Sequence, residues 1–196
     1  MDNDFIDKKD RIVTAAIEII SESGLGFLNT RKLAEKVNIS EAVLYRYFGS
    51  IDEVLLEVIE TYSKNDREMI ATVEDKDISH IDKIVEFLMM LVSYYADYQE
   101  MTAIVLNYES FLHNANTRDK LTECSKNRYV FLMKEFEAAI DDGEICDVFT
   151  PEELCLMVTG TLLRDILNRR MANNINSHEQ IIETWVHKFV NILRIQ

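Results

Sequence analysis

The stretch that decides the fold is residues 28–50, LNTRKLAEKVNISEAVLYRYFGS. It contains the start and stop signals of two short helices. Asn29 is a good N-cap for the first helix, and Asn38 readily takes the left-handed conformation that ends one. Ser40 caps the second helix, which Gly49 terminates. Two short helices joined by a three-residue turn predict a helix-turn-helix.

The outward face of this unit has an unusual composition for a surface that only meets water. At about 100° per residue the second helix turns Leu44 and Phe48 inward and leaves small, β-branched and aromatic side chains outside. This mixture suits a DNA groove: Arg31 can bind a guanine edge, Val43 a thymine methyl group and Tyr45 a phosphate. The alternative is that these side chains pack against the next helix or a neighbouring subunit. The candidate DNA contacts are Thr30, Arg31, Lys32, Ser40, Glu41, Ala42, Val43, Tyr45, Arg46 and Tyr47.

Composition indicates an all-α chain. The 196 residues include 5 Gly and 1 Pro, too few for the many turns of sandwiches, barrels or doubly wound sheets. The longest apolar run, Phe87–Val92, is too short to span a bilayer, and residues 1–10 lack the apolar stretch of a signal peptide, so we expect a cytoplasmic protein with no membrane partner. Three cysteines without a CxxC pair (Cys124, Cys146 and Cys155) suit reduced thiols.

Helix signals recur along the rest of the chain. Gly24 ends a first helix, and Ser50 caps the fourth. Thr150 and Glu153, with Pro151 between them, form a capping box, and Ser177 with Gln180 forms another. The predicted helices cover about residues 7–23, 30–37, 41–48, 51–72, 79–97, 98–113, 117–140, 150–173 and 177–194, with a linker at 74–77 and a loop at 141–148.

A family resemblance lies in four pieces of sequence: Leu28–Val37, Ile39-Ser40, Leu44–Phe48 and Asp52–Leu55. They resemble the DNA-binding domain of the TetR family of transcriptional regulators, over about residues 8–60. Beyond these residues only the number and length of the helices are similar. The resemblance implies a homodimeric repressor with one recognition helix per subunit, an effector pocket in the helical bundle and dimerisation through the last two long helices.

The resemblance also implies roles for single residues. Arg31 is similar to the base-contacting arginine of the family, and Val43 lies at a variable base-contacting position. Tyr45 and Tyr47 match phosphate-contacting positions, and Thr30 lies at the helix start that approaches the DNA backbone.

Two positions depart from the family pattern. The family often has a phosphate-anchoring basic residue just before the acidic pair that opens the fourth helix, and here that residue is Ile51. Glu41 begins the recognition helix, where Lys, Arg, Pro or Gln is common. Its charge suits the helix dipole but repels phosphates, and it either accepts a hydrogen bond from a cytosine amino group or simply caps the helix.

Net charge argues against nonspecific attraction to DNA. The chain carries a formal charge of -14, and residues 1–60 contain 7 basic and 12 acidic side chains. Affinity for DNA depends on neutralising phosphates, so we expect few phosphate ion pairs and a shallow salt dependence. The cations that can gather on the DNA side are Lys8, Lys9, Arg11, Arg31, Lys32, Lys36 and Arg46.

The second part of the chain is rich in Met, Tyr and Phe. These side chains fit an adaptable apolar pocket, although the plain alternative for each is the bundle core. The candidate effector-pocket residues are Phe87, Met90, Tyr94, Met101, Tyr108, Phe111, Tyr129 and Met133. Apolar residues also recur at helical spacing on the last two helices, where Gly160 permits close approach of backbones. They predict a dimer interface of Leu154, Val158, Thr161, Leu162, Trp185, Phe189 and Ile192, or else they close the core of a monomer.

Together these patterns predict a helix-turn-helix DNA-binding domain at residues 1–50, a connecting helix at 51–73 and an effector-binding and dimerisation bundle at 74–196. The predicted function is ligand-responsive repression by a homodimer on a palindromic DNA operator, released by a small, largely apolar effector. No catalytic residue, cofactor or metal site is predicted, and Glu109 with His113 is read as a helix-surface pair. Two alternatives stay open: a helical enzyme or metal-binding bundle, and a family member that acts through protein contacts without DNA.

Overall fold

The computed structural model describes the backbone of residues 2–172 and 176–195 and the side chains of residues 8–171 and 180–195. Every regular element in this part of the chain is helical, apart from an isolated bridge between Ile145 and Arg194, which confirms the all-α class. The elements are α1 (Asp2–Ser23), a 3₁₀ turn (Leu25–Phe27), α2 (Thr30–Lys36), α3 (Glu41–Leu44), α4 (Ile51–Glu74), α5 (His80–Asp97), a 3₁₀ turn (Gln99–Met101), α6 (Thr102–Leu106), α7 (Tyr108–His113), α8 (Ala115–Asp141), α9 (Pro151–Ala172) and α10 (Asn176–Leu193).

The chain packs into two compact units, and unit 1 contains residues 1–64 and 99–124. Its core includes an apolar stripe of α1, whose Ile12, Ala16, Ile19 and Ile20 side chains are buried. Gly24, with a φ of 92°, ends that helix as predicted. The stripe lies every three or four residues, so one face of α1 is removed from water.

The turn signals of residues 28–50 act as the sequence predicts. The side chain of Asn29 accepts a hydrogen bond from the Lys32 backbone N–H at 2.9 Å, and Ser40 Oγ accepts one from the Val43 N–H at 3.2 Å. Asn38 has a φ of 56°, the left-handed conformation that ends α2. Each cap satisfies a backbone donor that the first turn of a helix leaves unpaired.

Two predicted helix lengths are wrong. α3 ends at Leu44 rather than near Phe48, because its last turn tightens: the Arg46 N–H donates to Val43 O at 3.1 Å and the Tyr47 N–H to Leu44 O at 2.9 Å. These bonds span three residues instead of four, as in a 3₁₀ turn. α1 begins at Asp2, before the predicted start near residue 7.

The single helix predicted over residues 98–113 is also wrong, because the structure divides it into a 3₁₀ turn, α6 and α7. Thr102 Oγ1 donates to Gln99 O at 2.5 Å, and Asn107 Nδ2 donates to Ala103 O at 2.7 Å. Such side-chain bonds to the backbone compete with a regular helix.

The segment 99–124 is fastened to α4 within unit 1. Asn114 Nδ2 donates to Asp52 Oδ1 at 2.8 Å, and Asn116 Nδ2 donates to Asp52 Oδ2 at 2.6 Å. Tyr108 and Tyr62 are joined by a hydroxyl–hydroxyl bond of 2.9 Å. The first half of α4 is therefore bonded to residues 46 to 64 positions later in the chain.

Unit 2 contains residues 65–98 and 125–196, and α10 packs along α5. The guanidinium of Arg128 binds the buried carboxylate of Asp66 through two nitrogens at 2.7–3.0 Å and also donates to Tyr95 Oη at 3.2 Å. The carboxylate of Glu144 accepts the backbone N–H groups of His80 and Ile81 at 3.0 and 2.8 Å, so it caps α5. Polar side chains thus position two of the helices of this unit.

The two units do not follow the three sequence segments 1–50, 51–73 and 74–196. α4 and α8 each contribute residues to both units, so the functional division stays a prediction. The first predicted capping box is confirmed, since Glu153 accepts from the Thr150 N–H at 2.8 Å and Thr150 Oγ1 from the Glu153 N–H at 3.2 Å. The second depends on Ser177, whose side chain lies outside the described residues. Among the described residues, no helix has both the length and the apolar character to cross a membrane.

Candidate nucleic-acid interface

α2 and α3 form one continuous surface, because each is anchored in the core of unit 1 and their first residues are joined by a hydrogen bond. Leu33 and Leu44 are buried in the core of unit 1. At the outer side, the Thr30 hydroxyl donates to Glu41 Oε2 at 2.8 Å, linking the first residue of α2 to the first residue of α3. The sequence left two roles open for Glu41, a hydrogen bond from a cytosine amino group and capping of the helix. The structure shows another role, because the Glu41 carboxylate links the two helices.

Arg31 is the most prominent cation of this surface. Its side chain is 80% exposed, and its Nε donates to Glu35 Oε1 at 3.0 Å. The hydrogen bond and charge of Glu35 raise the pKa of Arg31 above its usual value. An exposed pair of this kind is weak, so exchanging Glu35 for a guanine edge costs little.

Lys32 does not belong to the outer surface, which corrects the sequence prediction. Its Nζ donates to Ser23 Oγ at 3.1 Å and lies 5.2 Å from the centre of the Phe27 ring. The ammonium group therefore points back toward the end of α1, held by a hydrogen bond and a cation–π contact.

The residues of α3 and the turn after it show the predicted mixture. Ala42, Tyr45 and Arg46 are exposed, with Tyr45 at 52%, whereas Val43 and Tyr47 are half-buried. The Arg46 side chain forms no hydrogen bond or ion pair with the residues that the structure describes. Aromatic and cationic side chains thus protrude from α3 and its last turn, which is the chemistry needed to meet phosphates and base edges.

Two other cations of unit 1, Lys36 and Lys9, contact side chains inside the unit. Lys36 Nζ lies 3.0 Å from Glu18 and 3.1 Å from Glu22, and the hydrogen bond to Glu18 is the main cause that raises the pKa of Lys36. Lys9 lies 5.0 Å from the centre of the Phe48 ring. Of the seven cations predicted to gather on one side, Lys9, Lys32 and Lys36 therefore have contacts within unit 1, and the number of phosphate ion pairs stays a prediction.

The acidic pair that opens α4 has structural partners. Ser50 Oγ accepts from the Glu53 N–H at 3.2 Å and caps the helix, and Glu53 Oε2 accepts from the N–H of Gly49, the residue before the cap, at 2.7 Å. Asp52 accepts the two amide bonds from Asn114 and Asn116. Those partners were missed by sequence reasoning, because contacts across 62 and 64 positions leave no local pattern.

The eight candidate effector-pocket residues are divided between the units. Met101, Tyr108 and Phe111 belong to unit 1, where Phe111 is fully buried. The other five belong to unit 2: Phe87 is fully buried, Tyr94 accepts from Asn65 Nδ2 at 2.7 Å, and burial raises the pKa of Tyr94. Of the rest of these five, Met90 and Met133 are half-buried and Tyr129 is exposed.

The predicted dimer face on α9 needs correction. Leu154 and Val158 are both 0% exposed, and Leu162 is buried as well, so these side chains fill the core of unit 2 instead of facing outward. Thr161 is half-buried and donates to Met157 O at 2.7 Å. The outward stripe of α9 consists of Leu156, Gly160, Leu163, Leu167 and Met171.

On α10 the predicted residues do reach the surface. Ile192 is 78% exposed, and the half-buried rings of Trp185 and Phe189 stack with centroids 5.0 Å apart. Ile181, four residues before Trp185, is exposed too. Helical spacing places Ile181, Trp185 and Ile192 along one face of α10.

The candidate reactive groups of the chain are placed as follows. Glu109 and His113 lie one turn apart on the surface of α7, with 3.7 Å between Oε1 and Nε2. Among the described residues no group of three His, Cys, Asp or Glu side chains is arranged to hold a metal ion. Burial raises the pKa of Cys155 to about 12, which keeps this thiol protonated and unreactive near neutral pH.

Residues 12–58 match the family model described as bacterial regulatory proteins, tetR family. Among curated proteins, the HTH-type transcriptional regulator LuxR of Vibrio harveyi is 26% identical over 164 residues, which cover 78% of this chain and 74% of LuxR. The nucleoid occlusion factor SlmA of Vibrio cholerae is 25% identical over 122 residues, and the match spans 62% of the length of either protein.

Solved structures share the fold along nearly the whole chain. The ketosteroid transcriptional regulator KstR2 of Mycobacterium tuberculosis superposes with a TM-score of 0.83 at 12% identity, covering 96% of each chain. The regulator FadR of Bacillus subtilis, solved in complex with stearoyl-CoA, superposes with a TM-score of 0.76 at 20% identity, covering 92% of this chain and 96% of that one. At these identities the likeness establishes the fold of the chain.

Proposed function

Because residues 12–58 are those of the tetR family of bacterial regulatory proteins and the chain has the fold of its regulators, we propose that this protein is a ligand-responsive transcriptional repressor. It binds a palindromic DNA operator as a homodimer and is released by a small, largely apolar effector. The observation that carries the proposal is the exposed surface of α2 and α3, where Arg31, Tyr45 and Arg46 stand on two capped and cross-linked helices.

In the DNA-bound state α3 enters the major groove and Arg31 exchanges Glu35 for a base edge. Tyr45 and Arg46 contact phosphates beside it, and Val43 faces a thymine methyl group where the operator has one. The two recognition helices of a dimer then lie about 34–36 Å apart, one turn of the duplex. Few ion pairs with phosphates form, since Lys32 and Lys36 are held inside the unit.

The homodimer forms through the outward faces of α9 and α10. The interface is the outward stripe of α9, which consists of Leu156, Gly160, Leu163, Leu167 and Met171. Apart from the neighbouring residues of α9, no atom of the described residues lies within 4 Å of the place where a side chain at Gly160 would begin, so a partner helix can approach the backbone there. A two-fold axis brings the same faces of both subunits together and buries the exposed leucines.

The effector binds in unit 2 and acts through α4. Residues 65–74 of α4 belong to unit 2 and residues 51–64 to unit 1. A displacement of α4 caused by an effector in unit 2 therefore reaches unit 1 along the same helix. Two proteins of the same fold were solved with small molecules, FadR of Bacillus subtilis with stearoyl-CoA and a regulator of Saccharomonospora viridis with choline. Effector binding shifts α4, alters the spacing of the recognition helices and lowers operator affinity.

Selection of bound DNA from random duplexes tests the proposal. The expected result is a palindromic consensus whose half-sites are about one helical turn apart. Arg31→Ala and Tyr45→Ala are expected to abolish or relax the selection, whereas Lys83→Gln, a charge loss on α5 in unit 2, leaves it unchanged. If no duplex is enriched, or if both variants select the same sequence as the parent chain, the proposal fails.

A further inference from the structure

A groove of about 530 Å³ runs along the surface of unit 2 between the second half of α4 and the middle of α8. Its size falls within the range of small-molecule sites. On α4 the groove is lined by Arg67 and Ile70, among others, and on α8 by Lys126, Val130, Phe131 and Lys134. None of these residues belongs to the eight pocket residues predicted from sequence.

The two walls run in the same direction, which gives the groove two distinct ends. Arg128 binds Asp66 at 2.7 Å, and eight residues further along α4 Glu74 accepts from Lys134 Nζ at 2.7 Å. Arg67 and Lys126 therefore lie together at the first end, and the Glu74–Lys134 pair closes the second. One end of the groove carries two cations, and at the other end Lys134 pairs with both Glu74 and Glu135.

Between these ends the surface is apolar. Val130 is half exposed to water at 51%, and Ile70 lies across from it on α4, with Phe131 buried beneath. Exposed aliphatic side chains flanked by cations match a molecule with a hydrocarbon chain and an anionic head. The lining side chains include three cations, Arg67, Lys126 and Lys134, and one carboxylate, Glu74, in a chain whose net charge is -14.

We propose that this groove binds a single-chain amphiphile with an anionic head group. The head lies between Arg67 and Lys126, and the hydrocarbon chain covers Ile70 and Val130. Lys126 is exposed and forms no ion pair with any residue that the structure describes, so its ammonium group reaches the head without losing another contact. This inference rests on the proposed function, because it names the chemical class of the effector.

The groove also lies where a bound molecule affects both the core of unit 2 and α4. Phe131 contacts Phe87 in an edge-to-face arrangement with centroids 4.9 Å apart, so pressure on the groove floor reaches the buried core of unit 2. The other wall is α4, the helix proposed to carry the signal. An occupant that spreads the two walls displaces α4 directly.

Calorimetric titration of the full-length chain with dodecyl phosphate, below its micelle concentration, tests the inference. We expect one molecule per chain, with dodecanol and butyl phosphate each binding at least about tenfold more weakly, because each lacks one half of the recognised chemistry. Lys126→Gln weakens binding roughly two- to fivefold, as for loss of one exposed ion pair. Val130→Glu, which adds a carboxylate beside the chain, weakens it by more than about tenfold. Lys83→Gln is the matched control and leaves binding unchanged.

Other outcomes overturn either the inference or the regulatory function. Equal binding of dodecanol shows that the cations play no part, and equal binding of butyl phosphate shows a plain anion site. Loss of the dimer in Val130→Glu shows that a second copy of the chain covers the groove. A chain that selects an operator but does not bind dodecyl phosphate refutes this inference alone. A chain that binds the amphiphile but selects no duplex refutes the regulatory function and keeps the site.

Discussion

Glu41 accepts a hydrogen bond from the Thr30 hydroxyl at 2.8 Å, and this bond holds the first residues of α2 and α3 together on the surface proposed to bind DNA. A carboxylate at that place repels phosphate and at the same time fixes the orientation of the recognition helix. The two effects are separable, because a glutamine keeps the acceptor oxygen and loses the charge.

Replacing Glu41→Gln should therefore tighten operator binding, roughly two- to fivefold at low salt, since a repulsive charge is removed while the link to Thr30 remains. Glu41→Ala removes the link and should lose that gain. Fluorescence anisotropy with the selected operator measures both. Equal affinity of the Gln and Ala variants would show that the Thr30 bond does not orient α3 on DNA.

Arg31 should carry base specificity that a simple cation cannot replace. Arg31→Ala should cost about 1–3 kcal/mol against the preferred operator and relax the preference at one base pair of each half-site. Arg31→Lys should restore affinity for nonspecific DNA but not the base preference, because lysine lacks the planar fork. Glu35→Ala, which frees the arginine, should bind at least as well as the parent chain. Competition binding with single-base operator variants distinguishes these results.

The salt dependence of operator binding should be shallow, because Lys9, Lys32 and Lys36 have partners inside unit 1. We expect fewer than about eight phosphates to be neutralised, so the slope of log affinity against log salt should be shallower than about -7. Titrations between low and physiological salt give this slope. A steeper value would mean that the lysines leave their partners when DNA binds.

The Arg128–Asp66 pair should be a large contributor to the stability of unit 2. Arg128→Met leaves the carboxylate of Asp66 buried without its partner, and the free energy of unfolding should fall by about 3–5 kcal/mol. Lys76→Met breaks the exposed pair with Glu86 and should cost less than about 1 kcal/mol. Urea unfolding followed by circular dichroism compares the two. Similar losses in both variants would contradict the assigned importance of burial.

The outward stripe of α9 should control the oligomeric state separately from folding. Leu163→Asp places a charge in the proposed interface and should convert dimers to folded monomers. Leu154→Asp places the charge in the core and should unfold the chain. Val148→Asp, at a site 71% exposed in the loop before α9, is the control and should change neither property. Sedimentation velocity combined with circular dichroism reads both quantities, and a dimeric Leu163→Asp variant would reject the proposed interface.

The helix-turn-helix was predictable because its signals are local. The caps at Asn29 and Ser40 and the left-handed Asn38 each depend on residues within one turn, so the sequence contains the whole cause. The side of α9 that faces outward was not predictable in the same way. α9 carries apolar residues on both its inner and outer sides, Leu154 and Leu156 among them, and periodicity alone does not say which side meets the core.

The partners of charged side chains were also beyond sequence reasoning. Lys32 and Lys36 look like the cations of a DNA-binding surface, but their ammonium groups meet Ser23, Glu18 and Glu22 on α1. The break of the helix predicted over 98–113 occurs without Gly or Pro, through the side-chain bonds of Thr102 and Asn107. Such outcomes depend on which groups the fold brings within reach.

The carboxylate of Asp52 accepts two hydrogen bonds, one from the Asn114 amide and one from the Asn116 amide, and together they hold the start of α4 in place. Any axial sliding of α4 that exceeds about one ångström must rupture two amide–carboxylate bonds at once, each too short to stretch that far. An effector that acts through α4, as proposed, must therefore supply enough differential binding free energy to break both hydrogen bonds together.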